Sequence, residues 1–200
     1  MAPPFQPADP AEIAALIEAH PLAWVVAHGP AGFAAAPLPL LADLDADGNV
    51  VRLVGHMAKR GRLAAVLAEC PRALILFQGP EGYISPAWVR DRTWGPTWNY
   101  AVVQIEADIV LCPDQTDAAL IRLAEQMERP RGNGWVPADM GRRYEGLSRA
   151  IVAFHAEVRS LDARFKLGQD ERPEILEDIL AALPADGELA AAMRRNNPRR

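Results

Sequence analysis

The 200-residue chain carries 21 Lys and Arg against 26 Asp and Glu, and its formal net charge of −5 argues against a protein that chiefly coats nucleic-acid phosphates. Its two cysteines, Cys70 and Cys112, lie far apart without CxxC spacing, so neither a disulfide framework nor a cysteine-rich zinc site is expected. No apolar run approaches the roughly 20 residues that cross a bilayer. The segment 1–7 has neither the basic nor the apolar stretch of a secretory signal, so the expected location is the cytoplasm.

The first element is a helix. Asp9 can cap it, Pro10 suits the first helical position, Ile13, Leu16 and Ile17 share a face, and Pro21 stops it near His20. An apolar run over 22–27 and the turn at Gly29 and Pro30 lead into a strand over 33–41, whose Pro37 and Pro39 disfavour a central hydrogen-bonded position. The turn 45–49 joins it to a strand over 50–54, which predicts a hairpin. Leu63, Val66 and Leu67 then mark a helix over 59–69.

The continuous apolar run 73–77 reads as a strand covered on both faces, followed by a tight turn and a second short strand. Val103, Ile105, Ala107 and Ile109 alternate with polar residues, the pattern of a half-buried antiparallel strand. A helix from Asp114, a loop over 129–139 and a short helix over 140–147 come next. Alternation returns over 151–158, and two helices, 173–183 and 187–195, close the chain. Single helices between strands do not make a regular βαβ series. The expected fold is therefore α+β: a split β-barrel of about six antiparallel strands with peripheral helices and a C-terminal helical extension.

Four segments carry chemistry. Gly55-His56-Met57-Ala58-Lys59-Arg60-Gly61 joins a strand end to a helix start, where free N–H groups beside two cations can cradle a phosphate. The same residues can equally be the basic first turn of a solvated helix. In the segment 76–88, Tyr83 and Trp88 either meet a ligand or plug the barrel end, and Ser85-Pro86 can start a helical turn. Trp98, Asn99 and Tyr100 suit a ring-binding surface, a dimer seam or plain aromatic packing. Lys166 and Gln169, within 164–170, either close over an anionic ligand or belong to a solvated loop.

No catalytic constellation stands out. His20, His28, His56 and His155 lack metal-ligand spacing, and there is no P-loop, GxGxxG or nucleophile elbow. The last seven residues, 194–200, hold four arginines and no acid.

Taken together, the segments GHMAK, FQGPEGYISPAW, PTWNY and FKLGQD, in that order, resemble the PaiB-type family of FMN-binding negative transcriptional regulators. That family is similar to the pyridoxamine-phosphate-oxidase-like split barrels. The resemblance implies FMN in a groove between two subunits of a homodimer, with an FMN-binding domain over 1–160 and a helical extension over 161–200 packed on the barrel or the partner. It makes His56, Lys59 and Arg60 the phosphate-side candidates, Trp98, Asn99 and Tyr100 candidates for the ring side or the dimer seam, and Met57, Lys166 and Gln169 further cofactor-binding candidates. This chain departs from the family at Ala36-Pro37-Leu38-Pro39, where an SHLP-like stretch with a histidine is usual, and at Gln104, Gly168 and Asp170, where His, Ser and Asn are usual. A role at DNA follows from the resemblance alone, and an FMN-dependent oxidoreductase is the alternative.

Overall fold

The computed structural model describes residues 5–7 and 9–198. Among the described residues, six antiparallel strands close into a barrel in the order β1-β2-β3-β6-β5-β4, and six α-helices accompany them. The strands are β1 (Leu22–Gly29), β2 (Gly32–Leu44), β3 (Val50–Ala58), β4 (Arg72–Ile84), β5 (Thr97–Leu111) and β6 (Ile151–Lys166). The helices are α1 (Pro10–Ala19), α2 (Arg62–Glu69), α3 (Thr116–Glu128), α4 (Arg142–Ser148), α5 (Pro173–Ala182) and α6 (Glu188–Asn196). None of the described helices is long and apolar enough to cross a membrane.

Two compact units divide the chain. The larger comprises 9–77 and 104–162, the smaller 1–8, 78–103 and 163–200, so the boundaries fall inside β4, β5 and β6. Strand β6 therefore runs through residue 160, where sequence reading expected a domain to end.

In the larger unit, α1 forms as its caps dictate: the Asp9 carboxylate accepts from the Ala11 N–H at 2.8 Å, and Leu16 and Ile17 are buried. The inward side chains of the strands, among them Val25, Leu40, Leu53, Ile75 and Phe154, make the core. Residues 32–39 of β2 pair with β1 and Leu40–Leu44 pair with β3, so Pro37 and Pro39 sit where the missing N–H breaks no second ladder. Helix α3 lies against β3, where Val54, Ala119 and Ala153 form a buried cluster and the Thr116 hydroxyl accepts from the Ala153 N–H at 3.2 Å.

Several strands outrun their local signals. β3 continues through Gly55 to Ala58, and the helix after it starts only at Arg62, with Gly61 as its cap. β4 is one strand of 13 residues, not two strands around a turn. It also alternates, with Leu74 exposed between buried Ala73 and Ile75, so the apolar run 73–77 is not covered on both faces. β5 already includes Trp98, Asn99 and Tyr100, and β6 extends past Val158 to Lys166. Ladder bonds from neighbouring strands hold these segments extended, a constraint that local composition does not carry.

The smaller unit contains α5 and α6. Its loop after β4 opens as expected, with the Ser85 hydroxyl accepting from the Ala87 N–H at 3.2 Å. It is tied down by Arg90, which forks onto the Asp178 carboxylate at 2.9 and 2.7 Å, and by Trp94, whose indole N–H donates to Glu171 at 2.9 Å.

Candidate functional site

In the larger unit, the phosphate-side candidates occupy the end of β3 and the turn after it. Met57 is buried in the core, so alternation turns its neighbour His56 outward. The His56 imidazole is half-buried, and burial holds its pKa below the ordinary histidine value, which keeps the ring neutral near pH 7.

Lys59 and Arg60 lie in the turn before α2 and not in its first helical turn. Lys59 is anchored at both ends: its N–H donates to the Ala150 carbonyl at 2.9 Å, and its ammonium to the Arg149 carbonyl at 3.0 Å. Arg60 is exposed. Neither cation is ion-paired to a carboxylate among the described residues, so both charges are available to an anion. That donor set, an ammonium and a guanidinium ahead of a helix start, fits the phosphate of FMN.

Gly55, which opens this motif, has a different task. A Cβ there would run into Leu40 and come within 3.0 Å of the Phe154 ring. The glycine is required by core packing.

In the smaller unit, the remaining candidates fall into exposed and internal groups. Trp98 is 53% exposed, and its ring meets that of Tyr83, 46% exposed, edge to face at 5.9 Å between centroids. Tyr83 and the exposed Trp88 thus do not plug the barrel. Tyr100 is half-buried two residues along the strand. Tyr83 was missed as a neighbour of Trp98 because their adjacency depends on the pairing of β4 with β5, which neither segment encodes alone.

Asn99, in contrast, is 2% exposed, and its amide donates to the Met193 sulfur at 3.5 Å. Gln169 spends its amide on its own turn, accepting from the Leu167 N–H at 2.7 Å and donating to the Phe165 carbonyl at 2.6 Å. The Lys166 ammonium donates to the Thr97 hydroxyl. The exposed ring surface and the lysine suit a flat anionic ligand, whereas Asn99 faces protein.

The family model described as "Putative FMN-binding domain" matches residues 1–160. Protease synthase and sporulation protein PAI 2 of Bacillus subtilis (strain 168) is 30% identical over 120 residues, covering 59% of this chain and 58% of that protein. The chain spans about three fifths of the length of the curated relatives it matches. Among solved structures, the FAD and heme binding protein from Mycobacterium smegmatis superposes with a TM-score of 0.61 at 16% identity, over 90% of this chain and 81% of that one. The flavocytochrome Anf3 from Azotobacter vinelandii gives 0.56 at 16% identity, over 80% and 69%. These two share the fold.

Proposed function

Since the chain belongs to the FMN-binding domain family, matched over residues 1–160, and takes FMN as its cofactor, we propose that it works as a homodimeric, flavin-binding regulator of transcription. The observation that carries the reading is the pair of cations at the end of β3, Lys59 and Arg60, unclaimed by any described carboxylate and placed just before a helix start. They would hold the phosphate of FMN through charge-assisted hydrogen bonds, with the neutral His56 imidazole beside them. Trp98, Tyr100 and Lys166 serve the ring side or the subunit seam.

The dimer is supported by one face of the larger unit. On β1, Leu22 is 63% and Trp24 54% exposed, and Val26 and His28 follow on the same side. Across the ladder these meet Pro39, Pro37, Ala35 and Phe33 of β2, and Leu76 and Leu74 of β4 lie opposite Trp24 and Val26. None of these positions carries an Asp, Glu, Lys or Arg. Soluble monomers rarely leave so continuous an apolar patch in water, and a two-fold partner presenting the same face covers it.

Support for regulation is the PaiB-type resemblance, together with the similarity to the protease synthase and sporulation protein of Bacillus subtilis. Arg194 and Arg195 end α6 and are candidates to meet DNA, while Arg199 and Arg200 of the same tail lie outside the described residues. The test is purification with FMN followed by a mobility-shift titration. A flavin-loaded dimer whose specific band weakens steeply with salt supports the reading, and no specific band at low salt overturns the regulatory part.

The alternative, an FMN-dependent oxidoreductase, is compatible with candidate residues that offer no obvious acid–base pair. There the flavin supplies the electron chemistry and the protein positions the substrate. Anaerobic mixing with NADH or NADPH separates the two: rapid bleaching of bound flavin supports the enzyme.

A further inference from the structure

Helix α6 lies beyond the residues that define the family, yet it meets three of the four motif segments. Its buried face carries Leu189, Ala190, Ala192 and Met193. Leu189 sits against Gly82 of the second segment, where a Cβ would come within 2.8 Å of the Leu189 methyl. Met193, fully buried, accepts through its sulfur from Asn99 of the third. In the fourth, Gly168 adopts φ +86°, and a Cβ there would stand 3.2 Å from the Met193 methyl and 3.1 Å from Leu176 of α5.

The end of the helix closes the arrangement. Asn197 caps α6, and its buried amide donates both to the Met193 carbonyl at 2.8 Å and to the Leu167 carbonyl at 2.9 Å. One side chain thus ties the helix terminus to the turn that follows β6. The turn is further shaped by Gln169, and the Glu171 N–H donates to the Gly168 carbonyl at 3.2 Å. An amide is kept here although its Oδ1 has no partner among the described residues, which points to the two donated bonds as its purpose.

We infer that α6 is a clasp: its apolar face packs on Gly82, Asn99 and Gly168, and Asn197 is the positioning residue that holds it there and thereby sets the turn bearing Lys166. Asn99 is then part of the seat and does not touch the ligand. The link to ligand affinity rests on the FMN reading above, through Lys166, but the clasp itself does not.

The test uses the full chain with Asn197→Ala and, as a packing control, Met193→Leu, which keeps both bonds of Asn197 to main-chain carbonyls. Hydrogen exchange of the flavin-free protein reports on the clasp alone. Asn197→Ala is expected to speed exchange at the Leu167 and Glu171 amides about tenfold while the larger unit and Met193→Leu stay as wild type. Titration with FMN then reads the consequence: an affinity about tenfold weaker in Asn197→Ala, with an unchanged flavin absorption spectrum at saturation.

Unchanged exchange at Leu167 and Glu171 in a folded Asn197→Ala protein overturns the clasp. Faster exchange with wild-type FMN affinity overturns its positioning role. A wild-type protein that takes up no FMN defeats the cofactor reading and leaves the exchange result to decide the clasp. Should alanine at 197 prevent folding, Asn197→Gln, which moves the same amide one methylene away, is read by the same exchange.

Discussion

The Lys59 ammonium donates to the Arg149 carbonyl at 3.0 Å, and because Arg149 caps α4, the charge sits at the negative end of that helix. Arg60, one residue on, has no such tether. The two cations therefore contribute differently. Lys59→Ala is expected to weaken FMN binding and also to cost roughly 0.3–1 kcal/mol of stability through the lost helix-end interaction. Arg60→Ala is expected to leave the unfolding temperature unchanged and to weaken FMN by about 10- to 100-fold, the worth of a charge-assisted hydrogen bond. Flavin fluorescence titration with thermal unfolding of both variants checks this. Wild-type affinity in Arg60→Ala removes that residue from the phosphate site.

Trp24 projects from the centre of an uncharged three-strand face, opposite Pro37 on one side and Leu76 on the other. Trp24→Lys places a charge where a two-fold contact would bury two of them together. The expected outcome is a monomer by light scattering with the circular dichroism of the wild type, since the substituted side chain is already 54% exposed and leaves the core intact. A wild-type protein that is itself monomeric defeats the dimer.

Gly55→Ala drives a methyl group into Leu40 and the Phe154 ring. Both neighbours are fully buried, so neither has room to give way. A destabilisation of about 1–3 kcal/mol follows from overpacking, which for a chain of this size lowers the melting temperature by several degrees. Thermal unfolding decides it; an unaltered melting curve shows that β3 can shift.

Asp43 and His56 both contribute to the acid limb of stability, at different pH. Burial pushes the Asp43 carboxyl up, but the bonds from Arg52 at 2.7 Å and Arg122 at 2.6 Å outweigh it and hold its pKa below the usual carboxylate value. Its contribution is thus present above about pH 4 and is lost as pH falls through the lower folded value. Asp43→Asn is expected to cost about 1 kcal/mol at pH 7, modest because the guanidinium groups are partly exposed, and to flatten the profile below pH 4. His56 acts at higher pH. Burial lowers its folded pKa, so the unfolded chain takes up the proton first and stability declines as pH drops below about 6.5. His56→Gln removes that slope, and urea midpoints between pH 5 and 8 measure it.

Local signals carried much of this fold. The cap at Asp9 and the proline after it place α1, and the alternation from Val103 to Ile109 and from Val152 to Val158 marks the half-buried strands. Helices α5 and α6 start and stop within a residue of where their apolar spacing puts them. Period and capping are short-range properties, so these elements are written where they form. The four motif segments are likewise legible and point to the flavin-binding family.

Where each motif residue lies, and which partners it meets, is decided by contacts from distant parts of the chain. β4 runs straight through the Gly and Pro of 79–82 as one strand of the closed barrel. Leu22 and Trp24, apolar in sequence, face outward because register assigns them the outer side of β1. Lys59 and Arg60 precede their helix because pairing of Ala58 with Ile151 prolongs β3, and Asn99 is spent on Met193, 94 residues away. Which side chains remain free for a ligand depends on which have already met a partner, and those partners are brought together only when the sheet closes and the last helix packs.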